Sequence, residues 1–258
     1  MKKILVIFIA LTLVSGMLFA FGSKDEVVIT GVADLDGKKI GVQAGTTGEM
    51  WVQDNVAGVA LSSFKSGIDA ALDLKNGAID AVVLDELPAR EIVSKNSDLM
   101  IITDRFAREE YAIAVKKGNA DLLAVINETI EDLQATGGYE DLVLAFMPTD
   151  GNIIIPTVAM SATGNPVKLG TNAAFPPFEY VEGTKVVGFD ITMGEYIAAQ
   201  LGQPLEVVDM AFDSLIAALD SGVVDFVAAG MSITEERQKN VDFSVPYYES
   251  EQVIIVRK

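Results

Sequence analysis

The sequence predicts an α/β protein of two lobes with a cleft between them, on three observations. Short apolar strands alternate with helical stretches along most of the 258 residues. The stretch 74–83, LKNGAIDAVV, is matched by 219–228, LDSGVVDFVA. Each of the two reads as a helix end, a glycine stop, two apolar residues, an aspartate and a buried strand. Between them, residues 148–166 change to Pro, Gly, Thr, Ser and Asn, the composition of a connector.

The first half opens with an expected strand at 27–30, then a strand at 38–43. Gly45-Thr46-Thr47-Gly48 is a turn that opens a helix near Glu49. A helix over 68–75 ends at Gly77, and 81–84 (AVVL) is a buried strand. Residues 111–115 form another strand. Leu122, Val125, Ile126, Ile130 and Leu133 fall at helical spacing, Gly137-Gly138 stops that helix, and a short helix runs on to Phe146. Within the connector, 153–155 (III) could add an edge strand. The second half has a strand at 167–170 and a helix over 189–200, with Asp190 as expected N-cap and Gly202 as stop. It continues with a strand at 205–208, a helix at 213–220, and strands at 226–229 and 253–256.

Composition limits the chemistry. Histidine and cysteine are absent, which removes the usual transition-metal ligands, disulfides and every Ser-His-Asp arrangement. No cofactor or metal is expected. The net charge of −18 repels nucleic acid and anionic membranes, so neither is expected as a partner. Lys2 and Lys3, the apolar run 4–21 and polar 23–26 have the order of a secretory signal, with cleavage expected after Gly22. An uncleaved membrane anchor is the other reading of residues 1–22. No cysteine stands at the cleavage point, so no lipoprotein is expected.

Ligands bind beyond the carboxyl ends of strands in open parallel sheets. Four loops meet that condition: 44–48, 85–86, 171–178 and 230–237. In the last of these, Thr234 reads as a helix cap, and Arg237 then stands in the first turn against the helix dipole. A guanidinium there fits a carboxylate partner, or else a surface ion pair with Glu235 or Asp242. Asp85 ends the AVVL strand, where it can accept from an ammonium or cap the next helix. Phe175, Phe178, Phe212 and Tyr180 supply aromatic surface.

Residues 167–258 resemble the first part of the polar amino-acid periplasmic binding proteins, the family 3 extracellular solute-binding proteins that serve ABC importers. The motifs are LGTNAAFPPFEY, VGFDITMGEYIAAQLG and FDSLIAALDSGVVDFVAAGMSITEERQKNVDFSVPYY. Residues 34–146 resemble the later part of the same family through LDGKKIGVQAGTTGE, NGAIDAVVLDE and NETIEDLQATGGYEDL. The order is reversed, so the resemblance implies a circularly permuted two-lobed type II periplasmic-binding-protein fold. It divides the chain into a signal peptide (1–22), a hinge-adjacent strand (23–33), the family's second lobe (34–114), a crossover with helices packing on the first lobe (115–147), a permutation linker (148–166) and the family's first lobe (167–258). The break would fall in a strand that connects the lobes, with both ends near the hinge and one crossover left, near 111–117. Pairing of 27–30 with 253–256 would replace the lost connection.

The resemblance also implies roles. Arg237 matches the arginine that grips the ligand α-carboxylate, supported by the amides of Ser232 and Thr47. Asp85, the Gly230 carbonyl and the Ser232 hydroxyl match the ammonium cage. Phe175 and Phe212 match the apolar walls. Asn172 stands where cation binders carry an acid, and Gln43 and Leu84 stand where glutamine binders carry Lys and His, which points to a neutral polar or small amino acid. The implied protein is an extracytoplasmic monomer that delivers a free L-amino acid to an ABC importer and is not an enzyme. A ligand-sensing module for a membrane receptor, a chain that exchanges lobes with a second copy, and a dehydratase acting on cyclic amino-acid precursors are the alternatives.

Overall fold

The computed structural model describes residues 28–149, 151–160 and 163–258. The expected signal peptide therefore lies outside the described residues. In chain order the strands are β1 (Lys39–Gln43), β2 (Ala60–Phe64), β3 (Ala81–Asp85), β4 (Leu99–Tyr111), β5 (Ala114–Lys116), β6 (Val167–Thr171), β7 (Ala174–Phe175), β8 (Glu179–Glu182), β9 (Lys185–Val187), β10 (Leu205–Asp209), β11 (Phe226–Val227), β12 (Val241–Phe243) and β13 (Tyr248–Arg257). The α-helices are α1 (Thr47–Asn55), α2 (Gly67–Lys75), α3 (Glu86–Ser94), α4 (Ala120–Thr136), α5 (Gly138–Phe146), α6 (Phe189–Leu201), α7 (Leu215–Asp220) and α8 (Glu235–Gln238). Among the described residues no helix is long and apolar enough to cross a membrane.

Two mixed five-stranded sheets carry the fold. The first has the order β2-β1-β3-β13-β4 and the second β10-β6-β11-β5-β12. In each, a first strand lies between a parallel second and third, and an antiparallel strand from the other half of the chain comes next. Both faces of each sheet are buried, as the period of two requires. Ala81 and Val83 of β3 join one cluster with Ile40, Val42 and Ile254, whereas Val82 and Leu84 point into the cluster on the opposite face. Helices α4 and α5 pack on α6, beside the second sheet.

The repeated motif has a physical basis. Asp80 donates its N–H to Lys39 O at 2.7 Å and accepts Lys39 N–H on Oδ2 at 2.9 Å. Asp225 does the same with Lys168, at 2.9 and 2.8 Å. Each aspartate thus extends a parallel strand pair by one reciprocal link, just after a helix stopped by Gly77 or Gly222 at φ +73° and +75°.

Several expectations give way. Residues 28–30 are not a strand, and Val32–Asp34 is a 3-10 turn, so the described part of 23–33 holds no strand. Residues 253–256 pair with β3 and β4 instead, because the centre of the first sheet offers hydrogen bonds on both edges. Ile29 only packs its side chain against that sheet, beside Ile254 and Val256. β13 thus belongs to the first sheet, not to a lobe spanning 167–258. Among the described residues two crossovers join the sheets, β4 to β5 and β12 to β13, rather than one. They run side by side: Ser244 N–H donates to Ile113 O at 2.9 Å and Tyr247 N–H to Tyr111 O at 2.9 Å. The chain ends near neither, since Lys258 bonds Asp98 at the far end of β13. Residues 153–155 form no strand. Gly188, not Asp190, precedes α6, and Asp190 is wholly buried inside its first turn.

Asp80→Ala and Asp225→Ala should each cost about 1 kcal/mol in urea unfolding, the worth of one such link. The double variant should lose the sum, because the two links lie in different sheets.

Candidate functional site

The loops at the carboxyl ends of the parallel strands meet between the sheets around a small cavity. Gln43, Thr46, Thr47 and Asp85 line it from the first sheet. Asn172, Phe175, Glu179, Phe212, Ala229, Gly230, Ser232 and Arg237 line it from the second. All nine residues expected from the sequence are brought together here, and Thr46, Glu179 and Ala229 join them.

Arg237 dominates the electrostatics. It is 4% exposed, at the third position of the short helix α8, whose start is fixed by Thr234 Oγ1 accepting the Arg237 N–H at 3.1 Å. Nη1 donates to Ser232 O at 2.7 Å, and Nη2 reaches across the cleft to Gly45 O at 2.9 Å. The guanidinium lies over the Phe212 ring, 5.3 Å from its centroid. Among the described residues no carboxylate forms an ion pair with it: Asp242 pairs with Lys117 at 2.8 Å, and Glu235 is exposed. Burial lowers its pKa, opposed by the charges of Glu109 and Asp85. A buried guanidinium with two neutral acceptors and spare donors is an unanswered positive charge, fitted to an anion.

Asp85 faces it from the other sheet. It occupies the N-cap position of α3 but makes no capping bond, so that reading of the residue falls. Instead Oδ1 accepts from Tyr111 OH at 2.6 Å and Ser250 Oγ at 3.3 Å. Burial, and then the charge of Glu109, push its carboxyl from 3.8 to about 7, against the hydrogen bonds of Tyr111, Gln252 and Ser250. A cation placed beside it would reverse that shift.

Gln43 and Asn172 meet across the cleft, Nε2 to Oδ1 at 2.9 Å, and Asn172 is held in turn by Met210 O at 2.8 Å. Gln43 Oε1 is buried without a donor. Phe175 stacks on Phe178 with centroids 5.9 Å apart, and Gly230 admits this ring. A Cβ at Gly230, whose φ is +53°, would stand 2.6 Å from Phe175 Cε1.

Three carboxyls that the sequence did not nominate for the site lie around it. Glu109 accepts from Thr47 Oγ1 at 2.7 Å, from Ser232 Oγ, and from Gln252 Nε2 at 3.0 Å. Ser232 therefore gives its hydroxyl to Glu109 and not to a cage around Asp85. Glu179 and Asp190 are wholly buried. Asp190 accepts from Gly230 N–H at 2.8 Å and Tyr247 OH at 2.7 Å, and burial lifts its carboxyl to about 6. Burial first, and then the charge of Asp190, drive the Glu179 carboxyl well above the carboxylate range. The one available signal was Glu179 itself, an acid directly after apolar Phe178 in a tight Pro-Pro turn. Glu109 reads as one more charge in a charged run.

Comparison with known proteins places the second half of the chain. Residues 167–258 match the family of bacterial extracellular solute-binding proteins, family 3. An L-cystine-binding protein, TcyJ of Escherichia coli K12, is 36% identical over 130 residues, 50% of this chain and 49% of that protein. The arginine-binding extracellular protein ArtP of Bacillus subtilis 168 is 48% identical over 90 residues, 35% of each. A solved ancestral arginine-binding protein bound to arginine is 51% identical over 32% of this chain and 37% of that one, with a TM-score of 0.32. The chain thus spans about half the length of the first relative and about a third of the second. By their names, these relatives bind L-cystine or arginine.

The raised carboxyl of Asp85 has a stability consequence. Below pH 3.8 it is protonated folded and unfolded, and contributes no penalty. Between pH 4 and 7 the unfolded chain gives up the proton first, so the stability it lends the fold is lost as pH rises to about 7. Thermal unfolding without added solute should therefore show a steeper loss from pH 5 to pH 8 in the parent than in Asp85→Asn.

Proposed function

We propose that this chain, which carries a family 3 solute-binding region at 167–258, is an amino-acid-binding protein that closes its two lobes around a free zwitterion and presents it to an ABC importer. The observation that carries this is Arg237: a buried guanidinium without an ion pair among the described residues, set across the cavity from the buried carboxyl of Asp85. A carboxylate and an ammonium separated by one carbon answer both charges at once, and only the closed form offers both. Charge-assisted bonds out of water support roughly micromolar affinity, about −8 kcal/mol.

The ligand side chain would lie between Phe175 and Phe212 and against the Gln43–Asn172 pair. Gln43 Oε1 lacks a donor, so a side chain with an N–H or O–H suits it. Glu179, its carboxyl raised well above the carboxylate range, adds no charge for a basic side chain. A neutral polar amino acid is therefore our choice, with L-arginine and L-cystine as the alternatives that the relatives' names suggest. Transport rather than sensing rests on the family resemblance alone. An extracytoplasmic location and residues 1–22 as its signal rest on the same resemblance and on the charge pattern.

We further propose that the chain is a circular permutant of the family's order. The segment order 34–146 then 167–258 is the reverse of the family's. Lys258 bonds Asp98 beside the first sheet, and Ile29 shares one cluster there with Ile254 and Val256. Both crossovers therefore survive the break, and lobe closure would proceed as in an unpermuted chain.

A thermal-shift and calorimetry screen of the twenty amino acids plus L-cystine tests the function. At least one should raise Tm, and Arg237→Ala should weaken its binding by about 2–5 kcal/mol. Affinity in the parent that Arg237→Ala leaves intact would sink the reading. Because Asp85 takes up a proton near pH 7 when no cation faces it, binding at pH 6 should release protons, and affinity should rise from pH 6 to pH 8. Calorimetry in buffers of different ionisation enthalpy reads both.

A further inference from the structure

Asp190 is not among the residues that line the cavity, yet it is a carboxyl wholly buried in the first turn of α6. Burial of such a group is unfavourable unless hydrogen bonds answer it. Its backbone is set by the Pro-Pro turn: Phe189 N–H donates to Pro177 O at 3.1 Å and Asp190 N–H to Phe178 O at 2.9 Å. Gly188 lets the helix start lie against that turn, since a Cβ there would stand 2.1 Å from Phe178 O. From this fixed place Asp190 Oδ2 accepts Gly230 N–H at 2.8 Å and Tyr247 OH at 2.7 Å.

Gly230 is where the chain turns from β11 into the loop that faces the cavity. Beyond it, Ala112 N–H donates to Met231 O at 3.0 Å and Ile233 N–H to Glu110 O at 2.9 Å, which ties 231–233 to the end of β4. Within that stretch Ser232 O holds Arg237 Nη1 at 2.7 Å. Ala229, Gly230, Ser232 and Arg237 all line the cavity. The loop is thus held by β4 on one side and by Asp190 on the other. The second tie matters because Gly230 sits at φ +53°. A glycine has other conformations open to it, and a buried N–H that lost its acceptor would favour them.

We propose that Asp190 is a positioning residue for solute binding: through the Gly230 N–H it keeps the 229–232 loop in the conformation that presents Ser232 and Arg237 to the amino acid. The proposal rests on the solute-binding reading of the site. Asp190 touches no solute. It sets the fraction of the protein whose loop is competent, and apparent affinity follows that fraction. The role needs an oxygen acceptor at Oδ2 rather than a charge. Oδ1 is buried without a donor, so an amide nitrogen can stand in its place.

Calorimetry with the best amino acid of the screen, and NMR hydrogen exchange of the Gly230 amide, test the proposal in the full chain. Asp190→Ala should weaken binding roughly tenfold and speed exchange of that amide. Asp190→Asn keeps the acceptor and should bring affinity back to within about threefold of the parent. Tyr247→Phe removes the other donor to the same oxygen: its Tm should fall, while affinity and Gly230 exchange stay at the parent's values. Far-UV spectra and Tm establish which variants fold. Parental affinity in folded Asp190→Ala would overturn the proposal. So would an equal loss of affinity in Tyr247→Phe, or binding by Asp190→Asn tenfold weaker than the parent's. Rapid exchange of the Gly230 amide in the parent would overturn it without any variant. If no amino acid binds any of these proteins, the solute-binding reading fails, and Gly230 exchange still decides whether Asp190 holds the turn.

Discussion

A guanidinium taken out of water is the constraint around which the site is arranged. Arg237 is held by two carbonyls, Ser232 O from its own lobe and Gly45 O from the other, and neither neutralises it. Such a charge is costly unless it is answered, so its surroundings are rigid and polar. Thr234 fixes the helix start that aims it, and Phe212 covers its face. The φ +53° turn at Gly230 lets Phe175 close over the same space. Together they hold in place a guanidinium that has no ion pair among the described residues.

Two neighbouring crossovers make the lobes answer to one another. β13 completes the first sheet with residues from the second half, and β5 completes the second with residues from the first. The strands between them are hydrogen-bonded and buried, and the ring of Tyr111 packs against Phe175, Phe178, Tyr247 and Tyr248 at this junction. Tyr111 also donates to Asp85, and Tyr247 to Asp190. The junction between the two sheets is therefore hydrogen-bonded to both of these buried acids.

The acids of the site divide by environment. Asp85 keeps two hydroxyl donors and titrates near neutrality, ready for a cation. Glu179 is buried without a donor, and burial raises its carboxyl well above the carboxylate range. Glu109 is partly exposed and ties hydroxyls from both lobes. A sequence offers all of them as Asp or Glu, and their roles follow from burial and partners alone.

Much of this was written locally. Alternation and glycine stops specified the central strands and helices, because a residue's burial on a strand or helix face depends on its near neighbours. The repeated Gly-x-x-Asp link and the Thr234 cap are short-range hydrogen bonds, and both were legible. Site residues in strand-end loops could be nominated because the carboxyl ends of parallel strands must meet at one edge. The pairing of β13 could not be read, since an apolar strand fits any sheet with an open edge. Nor could the transfer of Asp190 from cap to buried acceptor, or the reach of Glu109 to Ser232, 123 residues away. Those depend on which distant groups share a few ångströms, and only the assembled fold sets that distance.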